Sequence, residues 1–273
     1  MKKTVWIYWE NRKNKPEPAY ITLSRWTMLH NLQNCTLVIV TPDNVEKYLP
    51  GITKITQNIQ VDIQGRADRF LRKFQSPRKN IAVKCDVIRA QLLQRYGGIY
   101  IDADAIILGD LDKYFEYLKS FNFFGMKRSS HGKNHVSVGF YGANVNTTII
   151  NEYSSKQTNI LANNTEVHYN QLGGSLLTEV FDKYKKETFC FDEKEIQPVT
   201  FEDARSVFID TSINVEDIIS PKQNIFMLFN GPFNNELKHI TIKELYESNM
   251  LISKIIRKAL PKNIFSKLYQ KIN

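Results

Sequence analysis

Two aspartates, Asp102 and Asp104, stand two residues apart directly after the apolar run Ile99-Tyr100-Ile101. In an extended segment, side chains at this spacing share a face. The spacing therefore predicts that both carboxylates point the same way, with Ala103 opposite. Carboxylates held so close repel unless a cation sits between or beside them, and their hard oxygens select Mg²⁺ or Mn²⁺. Such an ion binds a diphosphate and neutralises charge that builds on a leaving phosphate. The plain alternative is a solvated acidic turn. A second charged pair, Asp86 and Arg89, lies upstream in a segment with helical character. Three residues apart, the two lie about 60° apart around a helix. Projection puts Ile81, Cys85, Leu92 and Tyr96 on one side, with Lys84, Gln91, Gln94 and Arg95 away from them. Asp86 and Arg89 fall beside Ala82 and Leu93, at the edge of the apolar stripe. A charged pair facing partly inward requires partners, which a ribose and a phosphate supply. The alternative is a surface ion pair.

The elements that must position these residues follow from pattern. Val5 to Tyr8 and Thr36 to Val40 read as strands, with a helix over Glu17 to Gln33 opened by Pro16 and Pro18. That βαβ start favours a parallel sheet with helices against its faces. Residues 43–49 predict a short helix, 51–64 an irregular polar stretch, and Gly65 to Phe74 a basic helix. Asn80 to Tyr96 predicts a long helix, capped by Asn80 and stopped by Gly97-Gly98. The glycine pair turns the chain back into the strand Ile99 to Ile101. The aspartates then stand at the carboxyl end of a strand, where open α/β sheets place ligands. Further strands are expected at Asn122 to Met126, Val136 to Tyr141 and Ile225 to Phe229, and helices at 147–162, 171–185 and 241–259. No internal repeat or low-complexity linker is visible. The simplest organisation is a catalytic domain over 1–240 and a helical tail over 241–273.

A chain of 273 residues, 42% of them hydrophobic, is long enough to bury a sizeable core. No run approaches the roughly 18 apolar residues of a membrane span. The start, Met1 to Glu10, is basic and then apolar, but ends in Trp9 and Glu10 without a small-residue cleavage site. It reads as a first buried strand, and the expected location is the cytoplasm, with the inner face of the plasma membrane as a peripheral address. Cys35, Cys85 and Cys190 are odd in number and widely spaced, which supports neither a disulfide framework nor a zinc site. They read as buried small hydrophobes. The net charge of +9 calls for an anionic partner. With no zinc finger or RNP-type sequence, nucleic acid is set aside in favour of a phosphorylated substrate or anionic lipid. Residues 254–273 carry six Lys or Arg and no acid. Ile255, Ile256, Ala259, Phe265, Leu268, Tyr269 and Ile272 recur there at helical spacing, broken by Pro261. Two readings stand: a basic amphipathic tail lying on an anionic membrane, or a helix packed on the protein with its basic side in water.

Assembled, the string from Cys85 to Asp104, CDVIRAQLLQRYGGIYIDAD, is far more specific than its parts. It resembles the S-D-x-x-R-x-x-x-L-x-x-x-G-G-x-Y-x-D-x-D pattern of glycosyltransferase family 32 and the related capsular polysaccharide synthesis transferases. The close match spans about 20 residues, with weaker similarity over residues 3–235. The resemblance implies a GT-A fold, an α/β Rossmann-like domain with a mostly parallel central sheet, that binds a nucleotide sugar, most often UDP-linked. It implies retaining transfer to a saccharide acceptor, with Mn²⁺ or Mg²⁺ as cofactor; the membrane reading of the basic tail would suit a lipid-linked acceptor. By motif position, Asp86, Arg89 and Tyr100 would contact the donor, Asp102 would meet ribose or sugar and, through water, the metal, and Asp104 would be the direct metal ligand. Trp6 or Tyr8 would border the base, unless both are core aromatics. Gly173-Gly174-Ser175-Leu176-Leu177-Thr178 resembles the family's T-G-P-x-x-L-T segment, placing Gly174 and Ser175 at the donor, although it also reads as an ordinary helix start. Phe229-Asn230-Gly231-Pro232 occupies the stretch that closes such sites, which makes Asn230 a candidate ligand of metal or diphosphate. The sequence departs from the pattern at Cys85 (usually Ser), Ser175 (usually Pro) and Val138 (often Asn), and it lacks the C-terminal His-x-x-x-x-Trp. His30, His131, His135, His168 and His239 match no catalytic pattern. Two rival readings are a haloacid-dehalogenase-like phosphatase, against which Ile106 stands where Thr is expected, and a non-catalytic nucleotide-sugar-binding scaffold. The Lys-, Asn- and Ile-rich composition suggests a bacterial source.

Overall fold

The computed structural model describes residues 2–11, 15–62, 78–130, 133–164, 166–168, 170–229, 237 and 239–272. The expected helix over Gly65 to Phe74 lies outside them. The chain forms two compact units. The first comprises residues 1–15, 38–101 and 114–191, and the second 16–37, 102–113 and 192–273.

The first unit is an α/β structure built on a seven-stranded sheet. Its strands are β1 (Thr4–Tyr8), β2 (Thr36–Val40), β4 (Gly98–Ile101), β6 (Phe123–Ser130), β7 (Lys133–Val136), β8 (Phe140–Ala143) and β10 (Thr188–Asp192). The order is β10-β6-β8-β4-β1-β2, with β7 beside β6. β1 and β4 run parallel, Val5 opposite Ile99 and Trp6 opposite Tyr100. β8 is antiparallel to β4 and to β6. β3 (Gln60–Asp62) pairs separately with β9 (Glu166–His168). Central strands buried on both faces read as unbroken apolar runs, and β4 is buried at every position. On one face, Tyr100, Tyr141 and Phe123 form a ladder with centroid spacings of 6.3 and 5.5 Å.

Helix α4 (Arg78–Tyr96) packs against β1 and against α6 (Thr148–Asn163). Asn80 therefore lies inside the helix rather than capping it. The burial of α4 also differs from projection. Val83, Val87 and Ala90 are buried, Asp86 and Arg89 are buried among them, and Tyr96 is exposed. Packing on two sides widens the buried face past the apolar stripe and draws the charged pair inside.

Gly97 and Gly98 end α4 at φ +64° and +102°. A Cβ on Gly98 would stand 2.4 Å from the Thr4 carbonyl oxygen. Backbone cannot yield as a side chain can. We expect Gly98→Ala to lower stability by at least about 1–3 kcal/mol, read as a drop in urea midpoint; a variant that unfolds with wild type would contradict this packing.

Several expected elements are redrawn. The irregular stretch at 51–64 contains α3 (Ile52–Thr56) as well as β3. Gly51, at φ +86°, makes the turn into α3, and Glu46, on α2 (Val45–Tyr48), accepts hydrogen bonds there from Gly51 N and Thr53 N at 2.6 and 2.8 Å. The strand expected over Val136 to Tyr141 is interrupted at Ser137–Gly139, where Gly139 N donates to Ser137 Oγ. Cys190 is exposed, and Cys35 and Cys85 are only partly buried, so none is a core residue; all three are free thiols.

The second unit holds α1 (Ala19–Asn31), the antiparallel pair β5 (Ala105–Ile107) and β11 (Ile225–Met227), and α8 (Ala204–Ile209). It also holds α9 (Ile242–Glu247), α10 (Leu251–Ala259) and α11 (Lys262–Tyr269). Asn31 Nδ2 ties three elements together, donating to the carbonyls of Thr27, Ile107 and Ala259 at 2.8–3.0 Å. The helix expected over 241–259 breaks at an extended Ser248, whose carbonyl accepts from Arg257 at 2.6 Å. The tail is part of this unit: Phe265 stacks on Tyr246 at 3.7 Å and lies 5.9 Å from Trp26. Leu251, Ile252, Ile255, Ile256 and Ala259 are buried. Lys254 donates to the Thr211 and Ile213 carbonyls. The apolar stripe of α10 is consumed inside the unit, so an inserted amphipathic tail does not describe that helix. No described helix is long and apolar enough to cross a membrane.

Candidate active site

Arg89 is held in one orientation by three anchors. Its Nη1 donates to the Val138 carbonyl, its Nε to the Cys85 carbonyl at 3.2 Å, and its Nη2 to Cys85 Sγ at 3.1 Å. The interruption between β7 and β8 frees the Val138 carbonyl from the strand ladder for this purpose. The guanidinium carbon stands 4.9 Å from the centroid of the Tyr100 ring, a cation–π contact. Tyr100 Oη lies 3.2 Å from Cys85 Sγ. Cys85, which departs from the family's usual Ser, is thus part of the arginine's mounting.

Asp86 Oδ1 faces Arg89 Nη2 at 3.5 Å. A Cβ added to Gly173 would come within 2.6 Å of Asp86 Oδ2. The other carboxylate oxygen therefore lies over a stretch of backbone that only glycine keeps open. The glycine segment is a π-turn over Gln171–Ser175 leading into α7 (Leu176–Lys183). Asn170, at φ +69°, accepts from Gly174 N through its side chain at 2.9 Å. Side chains of α6 clamp this turn to α4. Gln157 Nε2 donates to the Asp86 carbonyl at 3.0 Å and to the Leu172 carbonyl at 2.7 Å. Tyr153 Oη donates to the Leu172 carbonyl at 2.8 Å, and burial pushes its phenol well above the usual range, so the donor proton stays in place. Neither Gln157 nor Tyr153 was legible as a site residue, because both read as ordinary helix positions.

Gly173→Ala tests this arrangement. The added methyl would displace the Asp86 carboxylate, and we expect donor affinity to fall by about tenfold or more. Isothermal titration with nucleotide sugar measures it; unchanged affinity would remove Asp86 from the site.

Of the aromatic candidates in β1, Trp6 is buried between Tyr48 and Tyr96, and its indole N–H donates to the Gly97 carbonyl at 2.9 Å. It buttresses the glycine turn. Tyr8 is also buried; its Oη donates to Glu10 Oε2 at 2.7 Å, and Lys84 Nζ donates to the same oxygen at 2.8 Å. Burial and then the Glu10 carboxylate raise the Tyr8 phenol far above its ordinary value. Gly174 is buried and Ser175 exposed at the start of α7.

β4 passes directly into Asp102. The aspartates do not continue the strand: Ala105 N donates to the Asp102 carbonyl at 3.1 Å, closing a turn across Asp102–Ala105. Strand alternation therefore does not describe the pair. Asp102 is half-buried and Asp104 buried. Two hard carboxylates in one turn suit Mg²⁺ or Mn²⁺, which keep several waters and take further ligands from substrate phosphates. Among the described residues no three His, Cys, Asp or Glu side chains gather as a metal cage. The donor set fits an ion shared with a phosphate. Asn230 lies outside the described residues.

No curated protein matches the chain. Its structure is similar to that of the glycosyltransferase GlyE of Streptococcus pneumoniae, with a TM-score of 0.49 and 12% identity over 100% of this chain and 64% of that one. It is similar to mouse xyloside xylosyltransferase 1, with a TM-score of 0.49 and 9% identity over 85% and 98%. It is also similar to the PaToxG glycosyltransferase, with a TM-score of 0.44 and 17% identity over 67% and 70%. The chain thus spans less than two thirds of GlyE. Residues 1–172, more than half of the sequence and including both charged pairs, match the family described as capsular polysaccharide synthesis protein, and the chain belongs to that family.

Proposed function

We propose that this protein is a GT-A glycosyltransferase that moves a hexose from a nucleotide sugar, in the first instance a UDP-sugar, to a saccharide acceptor during capsular or related cell-surface polysaccharide synthesis. The observation that carries this reading is the buried Asp86–Arg89 pair, with one carboxylate oxygen delivered onto the Gly173 backbone. The carboxylate occupies the space that a Cβ at 173 would fill, so its position is fixed before a ligand arrives.

In this reading Asp86 accepts hydrogen bonds from hydroxyls of the donor. Arg89 fixes that carboxylate from the other side and keeps positive charge in a setting of low dielectric, where it acts strongly on developing negative charge. Mn²⁺ or Mg²⁺, held by Asp104 and through water by Asp102, with Asn230 as a further ligand, would supply charge neutralisation for the diphosphate. No carboxylate at Asp86 or along the Asp102–Ala105 turn is identified as a nucleophile for double displacement. Retention is accordingly assigned to a front-face reaction, in which acceptor attack and diphosphate departure share one side of the sugar.

A thermal-shift screen of UDP, GDP, CDP and ADP, with and without Mn²⁺, tests the reading. Ligand at about a hundredfold excess over Kd stabilises by about 2.7 kcal/mol. One nucleotide is expected to give this shift only with the metal, which names the base. Absence of a shift with all four would sink the proposal.

A further inference from the structure

The hairpin of β6 and β7 brings a histidine to the same glycine pair. Arg128 and His135 are direct partners in its register, and Arg128 Nε donates to His135 Nε2 at 3.1 Å. An arginine N–H only donates, so in this contact Nε2 is the acceptor. A Cβ on Gly174 would stand 3.1 Å from His135 Cδ2 and 2.9 Å from the Val136 carbonyl oxygen. The neighbouring Gly173 is the residue on which Asp86 Oδ2 lies. Consecutive Cα atoms are about 3.8 Å apart, so carboxylate and imidazole flank one glycine dipeptide. The hairpin is also fastened to α7, since Val136 N donates to Thr178 Oγ1 at 2.7 Å. The imidazole is thus oriented by Arg128 and placed by backbone contacts before any ligand arrives.

We propose that His135 is a sugar-recognising residue: a hexose ring lying on the Gly173–Gly174 turn, with a hydroxyl taken by Asp86, contacts the His135 imidazole. Arg128 is the positioning residue that fixes its tautomer. This rests on the glycosyltransferase reading and assigns the saccharide end of the ligand to a histidine that no sequence pattern marks.

The test compares wild type with His135→Ala, His135→Asn and Arg128→Gln by isothermal titration in Mn²⁺, using UDP and GDP and then UDP-glucose and GDP-glucose. For His135→Ala we expect the affinity for the diphosphate to stay within about twofold, while that for its glucose conjugate falls by about tenfold or more. His135→Asn should recover part of the loss, and Arg128→Gln should show a smaller one. If the ring belongs to the acceptor, conjugate affinity and donor hydrolysis stay unchanged but KM rises across a panel of methyl glycosides, which also supports the contact. Unchanged affinities together with unchanged KM values overturn the proposal, as does a parallel loss of diphosphate and conjugate binding, which marks a structural role. A wild type that binds none of UDP, GDP, CDP and ADP refutes the glycosyltransferase reading itself, and does so before any variant is made.

Discussion

Asp104→Ala is expected to lower kcat for sugar transfer by about 10²–10³-fold or more, while the protein stays folded. The turn that holds Asp104 is closed by backbone, Ala105 N to the Asp102 carbonyl. The strand that follows is held by pairing of Ala105, Ile106 and Ile107 with Met227, Phe226 and Ile225. Loss of one side chain leaves both in place. Two readouts check the claim: turnover in saturating Mn²⁺, and the nucleotide-induced rise in melting temperature. Both should be lost together, because the proposed site holds the ion and the diphosphate jointly. Asp102→Ala should do less harm, as a ligand acting through water is more easily replaced. Near-normal turnover of Asp104→Ala would remove the metal from the mechanism.

How much of this was legible follows from where the information lies. The pattern from Cys85 to Asp104 is local, and its helix end, glycine turn and strand stand where the sequence puts them, because a glycine stop acts over a few residues. What escaped was set by distant partners. The burial of Asp86 and Arg89 depends on α6 packing against α4, and no property of residues 80–96 records that. The interruption of Val136–Tyr141 looks like one apolar strand, yet it releases the carbonyl that Arg89 requires. Alternation does not apply to the aspartate pair, because it assumes extended backbone and the chain turns instead. His135 has no flanking motif at all; only the β6–β7 register and the approach of Gly174 bring it to the glycine turn. The tail of Leu251–Ala259 has a stripe that fits a membrane surface and a protein core equally well, and α1 and its neighbours supply the core.

Arg89→Ala is expected to cost about 3–5 kcal/mol of unfolding free energy, since it removes a counter-charge from the buried Asp86 carboxylate. The two side chains are only 6% and 10% exposed, so water cannot take the place of the missing partner. The Val138 carbonyl loses this donor in the same step, adding a desolvation penalty. Arg89→Lys should recover only part of this, because one ammonium cannot reproduce the planar fork that reaches Val138, the Cys85 carbonyl and Cys85 Sγ together. The decisive variant is Asp86→Leu with Arg89→Met. A buried ion pair replaced by apolar groups of similar volume is often neutral or stabilising, so the double variant should regain most of the urea midpoint lost by Arg89→Ala. It should nevertheless bind no nucleotide sugar. Stability restored with affinity absent separates the two roles and places the pair at the ligand. If the double variant remains as unstable as Arg89→Ala, the stranded carboxylate is not the cause of the loss. If it is stable and still binds donor, the pair belongs to the architecture alone, and the proposed function loses the observation on which it stands.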